Sequence, residues 1–232
     1  ILLGIAGTFA YNKSVFEETT SKSESSSQKK DNNPDYKIGE TIEFGNYPQD
    51  KDGTEKPIEW IVMKKEGNQV LLLSKYVLDA KSYNEGWGDV TWELSDIRQW
   101  LNNEFYTTAF NKAEKAKIQT SLIKNEDNSE YGKSGGNDTE DKVFLLSEKE
   151  ADTLFSDEEE RIAKATEYAE KLGVDINENS EEKGAWWWLR SPGCYCYSAA
   201  GVDSDGWVDR NGNDVYFDND GVRPALHLNL QS

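Results

Sequence analysis

Residues 185–193, AWWWLRSPG, constrain the fold more than any other stretch. Three consecutive tryptophans stand beside an arginine and are closed by a Ser-Pro-Gly turn. With strand alternation, Trp186, Trp188 and Arg190 share one face, and Trp187 and Leu189 share the other. A strand that is apolar on both faces belongs in the middle of a sheet with layers on each side. The reading is a central strand that is either buried or in contact with a ligand.

The segments around it set the class. Residues 57–78 read as a β-hairpin, with Ile58, Trp60 and Val62 on one face, a turn at Glu66-Gly67-Asn68, and a buried return strand from Val70 to Leu73. Ser95 is placed to cap a helix whose apolar stripe is Ile97, Trp100, Leu101 and Phe105, and residues 111–119 continue as a short helix. Residues 124–142 form a long polar loop of the kind that is functional or disordered. A strand from Val143 to Leu146 follows, and Ser147 caps the next helix with Glu150 at the capping-box position. Residues 161–173 read as one helix stopped by Gly173. The final third carries the turns SPG, DSDG, RNGND and DNDG. Between them, Trp207-Val208, Val215-Tyr216-Phe217 and residues 222–230 read as a meander of short antiparallel strands. In the last of these, Leu226, Leu228 and Leu230 face inward, with His227 and Asn229 on the opposite face. The fold class is therefore α+β, with amphipathic helices packed on antiparallel sheets.

Residues 1–11 are apolar but too few to span a bilayer, which takes about 20. They read as the remnant of a membrane anchor or signal segment. Residues 12–35 are rich in Ser, Lys, Glu and Asn and read as a disordered linker. Residues 36–232 are the globular domain. Apolar segment, polar stalk and globular head make an extracytoplasmic layout, membrane-anchored or secreted. A net charge of −18 argues against nucleic acid and against charge-driven binding to an anionic membrane. Membrane contact is expected only through the N-terminal anchor. The 8 Trp, 11 Tyr and 8 Phe against one Met point to a core of large rigid rings.

Several separated motifs occur in order: IEFGNYPQ, IEWIV, SDIRQWLNNEFY, GGNDTEDKVFLLS, WLRSPG, a D-x-D-G turn and GVRPAL. In these the chain resembles the DUF6273 family over roughly residues 36–232. The resemblance implies a bacterial protein, often surface-borne or secreted. It also implies a fold similar to the C-type-lectin-like fold of formylglycine-generating enzymes, in which a late Trp/Arg strand precedes a closing G-x-R strand, here Gly221-Val222-Arg223. The Cys194-Tyr195-Cys196 sequence lies outside the family's pattern.

Candidate sites each have a structural and a functional reading. Arg190 and Arg223 suit bridging of buried carboxylates or carbonyls, or the clamping of an anionic ligand group. The turn containing Asp203, Asp205, Asp209 and Asp214 is rich in oxygen, but it lacks the spacing and closing Glu of an EF-hand loop. Hairpin chemistry explains its Asp-Gly without a metal, so no metal is expected. Trp87, Trp92, Trp207 and Tyr216 sit near Gly and Asp, where rings either stack on sugars or fill the core. His227 is the single histidine; it gives no nucleophile-base pair and, with two cysteines, no zinc cluster. Cys194 and Cys196 read as incidental thiols or a local disulfide before a redox pair. The function expected is a non-catalytic extracytoplasmic module that recognises an extracellular glycan or protein, without cofactor. The residues expected to bind are Trp186, Trp188, Arg190, Asp203, Asp205, Trp207, Asp209 and Tyr216. The alternatives are a surface enzyme (a hydrolase or a formylglycine-generating-enzyme-like oxidase) and a purely structural surface module.

Overall fold

A computed structural model describes residues 35–231. The expected anchor remnant, and all but the last residue of the expected linker, lie outside the described residues. No helix among the described residues is long and apolar enough to cross a membrane.

Strands β1 (Thr41–Pro48), β2 (Glu55–Glu66) and β3 (Gln69–Ser74) form an antiparallel meander. The loop between β2 and β3 is Gly67-Asn68, with Gly67 at φ +58°, a left-handed backbone that matches the twist of a tight hairpin. Ile58, Trp60 and Val62 are fully buried, as strand alternation requires. After the short β4 (Asp79–Ala80), the Ser95 hydroxyl accepts the Arg98 N–H and starts α1 (Asp96–Trp100). The helix passes through a π-turn at Leu101–Phe105 into α2 (Tyr106–Ala109). Ile97, Leu101, Phe105 and Ala109 recur every fourth residue and are buried as one stripe. Asn111 and Glu114 cap α3 (Lys112–Lys117) reciprocally.

The long polar segment differs from its sequence reading. Strands β5 (Ser121–Ile123) and β6 (Thr139–Asp141) pair antiparallel and close it at the base. In its middle Asn128 is buried, donating to the carbonyls of Pro192 at 2.8 Å and Arg210 at 2.9 Å. A polar side chain stays inside when its amide finds acceptors there. Strand β7 (Val143–Phe144) leads to Ser147, which forms the capping box with Glu150 of α4 (Glu148–Thr153).

The helix expected over 161–173 divides into α5 (Glu158–Arg161) and α6 (Glu167–Leu172). Between them the backbone runs extended, with Ala165 bridging Val77 in parallel and the Ala163 carbonyl accepting the Ala185 N–H. Thr166 restarts the helix by accepting the Ala169 N–H, so a local cap and long-range backbone bonds replace about one helical turn. Gly173 ends α6 in the left-handed region at φ +98°, as its sequence position predicts.

The remaining strands are β8 (Trp187–Pro192), β9 (Ser198–Val202), β10 (Val208–Asp214), β11 (Gly221–Val222) and β12 (Ala225–Asn229). The turn expected at RNGND is absent. Asn211-Gly212 lies inside β10, where the register against β9 shifts between Asp209 and Asn213. Gly212 has φ +72°, and a Cβ there would sit 2.1 Å from the Ala199 carbonyl oxygen, so glycine is needed for a bulge here. Val215-Tyr216-Phe217 is a loop after β10 and does not form a strand. One sheet has the order β1-β2-β3-β12-β7 and is antiparallel throughout. The other has the order β10-β9-β8-β11-β4, with only β8 and β11 parallel. The fold is α+β, β8 is the central strand of its sheet, and one continuous core includes residues of both sheets.

Candidate functional site

Strand β8 is buried along its whole length. Trp187 and Trp188 are fully buried, and Trp186 nearly so. The rings of Trp186 and Trp188 meet edge to face, with centroids 4.7 Å apart. Gly201 on β9 makes room for them, since a Cβ there would lie 2.0 Å from the Trp186 ring. The Trp188 N–H donates to the Lys81 carbonyl at 2.8 Å. Arg190 donates to the carbonyls of Leu145 at 2.8 Å and Lys124 at 3.0 Å, and pairs with Glu150. Burial alone would raise the Glu150 carboxyl, but the guanidinium outweighs it and holds the group below its usual range. The ligand contacts expected of Trp186, Trp188 and Arg190 are therefore corrected. All three are core residues, and the Trp188 N–H and the Arg190 guanidinium are satisfied by the protein. Trp92 takes the core alternative of its two readings, being buried with its N–H on the Asp141 carboxylate at 2.9 Å.

Arg223 is buried as well, donating to the carbonyls of Ser74 at 3.0 Å and Arg161 at 3.1 Å. Its guanidinium lies 4.9 Å from the Trp187 ring centroid and 5.7 Å from that of Phe155. No ion pair with a carboxylate holds it among the described residues, and burial pulls its pKa down to about 9. Its place is structural, tying β11 to the α5 and β3 backbones.

The remaining sequence candidates fall at opposite ends of the β9–β10 hairpin. Asp203, Asp205 and Trp207 lie in the connecting turn, and Asp209 lies just past it in β10. Asp203 accepts the Asp205 N–H at 3.2 Å, and Asp205 accepts the Trp207 N–H at 3.3 Å. Burial and then Asp205 push the Asp203 carboxyl up to about 6, while its hydrogen bond with Asp203 lowers Asp205. Asp209 accepts the Asn211 N–H at 2.9 Å. Arg161 clamps the turn by donating to the Gly206 carbonyl at 2.7 Å. These oxygens serve the turn itself, and among the described residues no three His, Cys, Asp or Glu converge to hold a metal. Trp207 stands alone there at 56% exposure.

Tyr216 lies beyond the other end, among rings from three loops. Trp87, 70% exposed, lies 5.4 Å from Tyr197. Tyr197 stacks on Tyr195 at 5.1 Å and 8° between planes. Tyr216, 42% exposed, meets Phe217 edge to face at 5.0 Å. Backbone hydrogen bonds knit the three loops together: Asn84 N–H to Val215 O at 2.9 Å, Val90 N–H to Cys196 O at 3.0 Å, and Val215 N–H to Tyr197 O at 3.0 Å. Trp87, Tyr216 and Glu85 line an open cleft of about 530 Å³. Rings held by a backbone lattice lose little freedom when a ligand stacks on them. A larger cavity of about 670 Å³ lies beside α6, lined by Lys51, Glu167, Lys171 and Asp175 among others. It has no aromatic ring, so it offers a sugar face nothing to stack on.

Glu85, Tyr195, Tyr197 and Phe217 were not among the residues singled out from sequence. Faint signals for them exist. Gly86 and Gly88 flank Trp87, and Tyr195 and Tyr197 alternate with cysteines just past the Pro192-Gly193 corner. Cys194 and Cys196 are free thiols, and the Asp89 carboxylate, first, pushes Cys196 up. His227 is half-buried, its Nδ1 2.9 Å from the hydroxyl of the buried Ser121, and burial lowers its pKa.

The family model described as Domain of unknown function (DUF6273) matches residues 67–230, a span that contains all three loops of the aromatic cluster. No curated protein and no solved structure matches the chain.

Proposed function

The chain belongs to the DUF6273 family, and from that premise we propose that its globular domain is a non-catalytic recognition module which binds an extracellular glycan. The observation that carries the reading is the cluster of Trp87, Tyr195, Tyr197 and Tyr216, exposed or half-exposed on loops joined by backbone hydrogen bonds. Sugar rings present apolar C–H faces that stack on such side chains, and hydroxyls that carboxylates and carbonyls can accept. Glu85 supplies such an acceptor in the cleft. The extracytoplasmic setting, anchored or secreted, is part of this proposal and rests on the order of apolar, polar and globular segments in the sequence. So is the C-type-lectin-like likeness, taken as an analogy of architecture that does not itself transfer function.

Binding is favoured over catalysis by the state of the reactive groups. A thiol pushed up by a neighbouring carboxylate, as at Cys196, is a poor nucleophile at neutral pH. Ser121 is covered by its surroundings, so its contact with His227 presents no hydroxyl to a substrate. A glycan-array screen of the protein, followed by titration of any hit, tests the reading. Saturable binding should weaken by about fivefold to tenfold in Trp87→Ala and in Tyr216→Ala, each removing a stacking surface of about 1–1.5 kcal/mol. Both side chains are exposed, so the melting temperature should hardly move. Binding that survives both substitutions would sink the site.

A further inference from the structure

Lysines cover three half-buried rings of the molecule, whereas the exposed aromatic face, like Trp207 and Tyr131, has none over it among the described residues. Among the described residues, Lys75 lies over the Tyr76 ring at 5.2 Å and Lys81 over Trp100 at 4.7 Å. Lys142 and Lys115 lie over Tyr106 at 4.5 Å and 5.4 Å. No Lys or Arg among the described residues lies over Trp87, Tyr195, Tyr197 or Tyr216. Carboxylates stand beside three of those four rings. Glu85 shares the cleft with Trp87 and Tyr216. Asp214 ends β10 two residues before Tyr216, its carbonyl accepts the Phe217 N–H at 3.1 Å, and after partial desolvation its carboxylate raises the Tyr216 phenol and, behind Tyr195, that of Tyr197. Asp89 adjoins the Cys196 thiol between the two stacked tyrosines, and Lys133 is a cation whose charge reaches that thiol more weakly.

An aromatic face is negative at its centre and attracts cations, and carboxylates beside it add to that potential. Uncovered rings edged by acids repel sialylated, uronic or phosphorylated sugars. They gain little charge-based preference for a ligand with hydroxyls alone. They match a ligand that combines an apolar face with a positive group, because one ammonium can lie against a ring and pair with a carboxylate at once.

Resting on the glycan-binding reading above, we propose that this face takes a saccharide bearing protonated amines, an amino sugar whose nitrogen is not acylated. Its C–H face stacks on Trp87 and Tyr216, and its ammonium groups pair with Glu85 and Asp214. The stacking rings set affinity for sugars generally, and the two acids set the preference for the amine.

The test uses two probes that share ring, linkage and length and differ only in charge: the β-1,4-linked tetramer of glucosamine and its fully N-acetylated counterpart. Both are titrated into the full chain by calorimetry at pH 5.5, in low salt and in 0.5 M NaCl. The glucosamine tetramer should bind about tenfold or more tighter than the acetylated one in low salt, with the gap closing in high salt. The preference should vanish in the double variant Glu85→Gln/Asp214→Asn, and binding of either probe should be lost in Trp87→Ala. Because the chain carries −18 overall, a polycation could bind elsewhere on its surface. An amine preference that persists in Glu85→Gln/Asp214→Asn would therefore overturn the inference. Equal affinity for the two tetramers, lost in Trp87→Ala, would leave the glycan site standing and refute its charge preference. Absence of binding by both tetramers, with an array hit that maps to Trp87, would refute the amine alone. Absence of any glycan hit would remove both readings.

Discussion

Arg223 is a buried guanidinium held by carbonyls and rings, without an ion pair among the described residues. Its donors reach Ser74 and Arg161 while its plane lies over Trp187 and Phe155. Lysine carries the same charge but has neither the fork nor the plane. Arg223→Lys is thus expected to destabilise the domain by about 3 kcal/mol, in the range of a buried polar network broken on one side. Urea unfolding measures it, and a loss below about 1 kcal/mol would show that charge alone is enough there. A buried acid sets a second residue-scale expectation. Asp220 is buried with only the Asn213 amide on its two oxygens, at 3.2 Å and 3.1 Å. Burial chiefly, with Asp175 and Asp218 adding, pushes it from 3.8 up to about 7. A folded-state pKa raised above the unfolded value means that the folded protein holds the proton longer. This contribution to stability is full below about pH 4 and is lost as pH rises through about 7. Asp220→Asn removes the titration, so its stability relative to wild type should climb between pH 4.5 and pH 8. A difference that stays flat across that window would contradict the burial argument.

At the scale of elements, the caps and periodicities written in neighbouring residues came through. Ser95 was legible as an N-cap because a hydroxyl precedes an apolar stripe at helical spacing. It is fully buried, accepting from Arg98 N–H at 3.3 Å and donating to the Trp92 carbonyl at 3.0 Å. Ser95→Ala should cost roughly 1–2 kcal/mol in thermal or urea unfolding, and a neutral result would mean that the helix start is held by packing alone. Elements that failed to match were those whose local pattern was outweighed by remote partners. The stretch between α5 and α6 has helical composition but pairs with Val77 and Ala185. Asn211-Gly212 has the chemistry of a hairpin turn, yet β9 continues alongside it and absorbs it as a bulge. The loop around Asn128 looked like polar solvent-facing chain until the carbonyls of Pro192 and Arg210 supplied its acceptors.

For the whole molecule, the amino-acid sequence determined the α+β class, the family, the central place of the tryptophan strand and most helix starts. Those features depend on periodicity, caps and turn chemistry among residues close along the chain. The tertiary structure alone decided which rings are spent on the core and which remain open. Trp92 and Trp87 occupy similar sequence surroundings, but one is sealed against Asp141 and the other stands 70% exposed beside Tyr197. It also separated the acidic turn from Tyr216 by the length of a β-hairpin, and gathered Glu85, Tyr195, Tyr197 and Tyr216 at one end. Exposure and charge environment belong to the neighbours a side chain acquires on folding. Here those neighbours arrive from three loops far apart in the chain, so no local pattern could announce them.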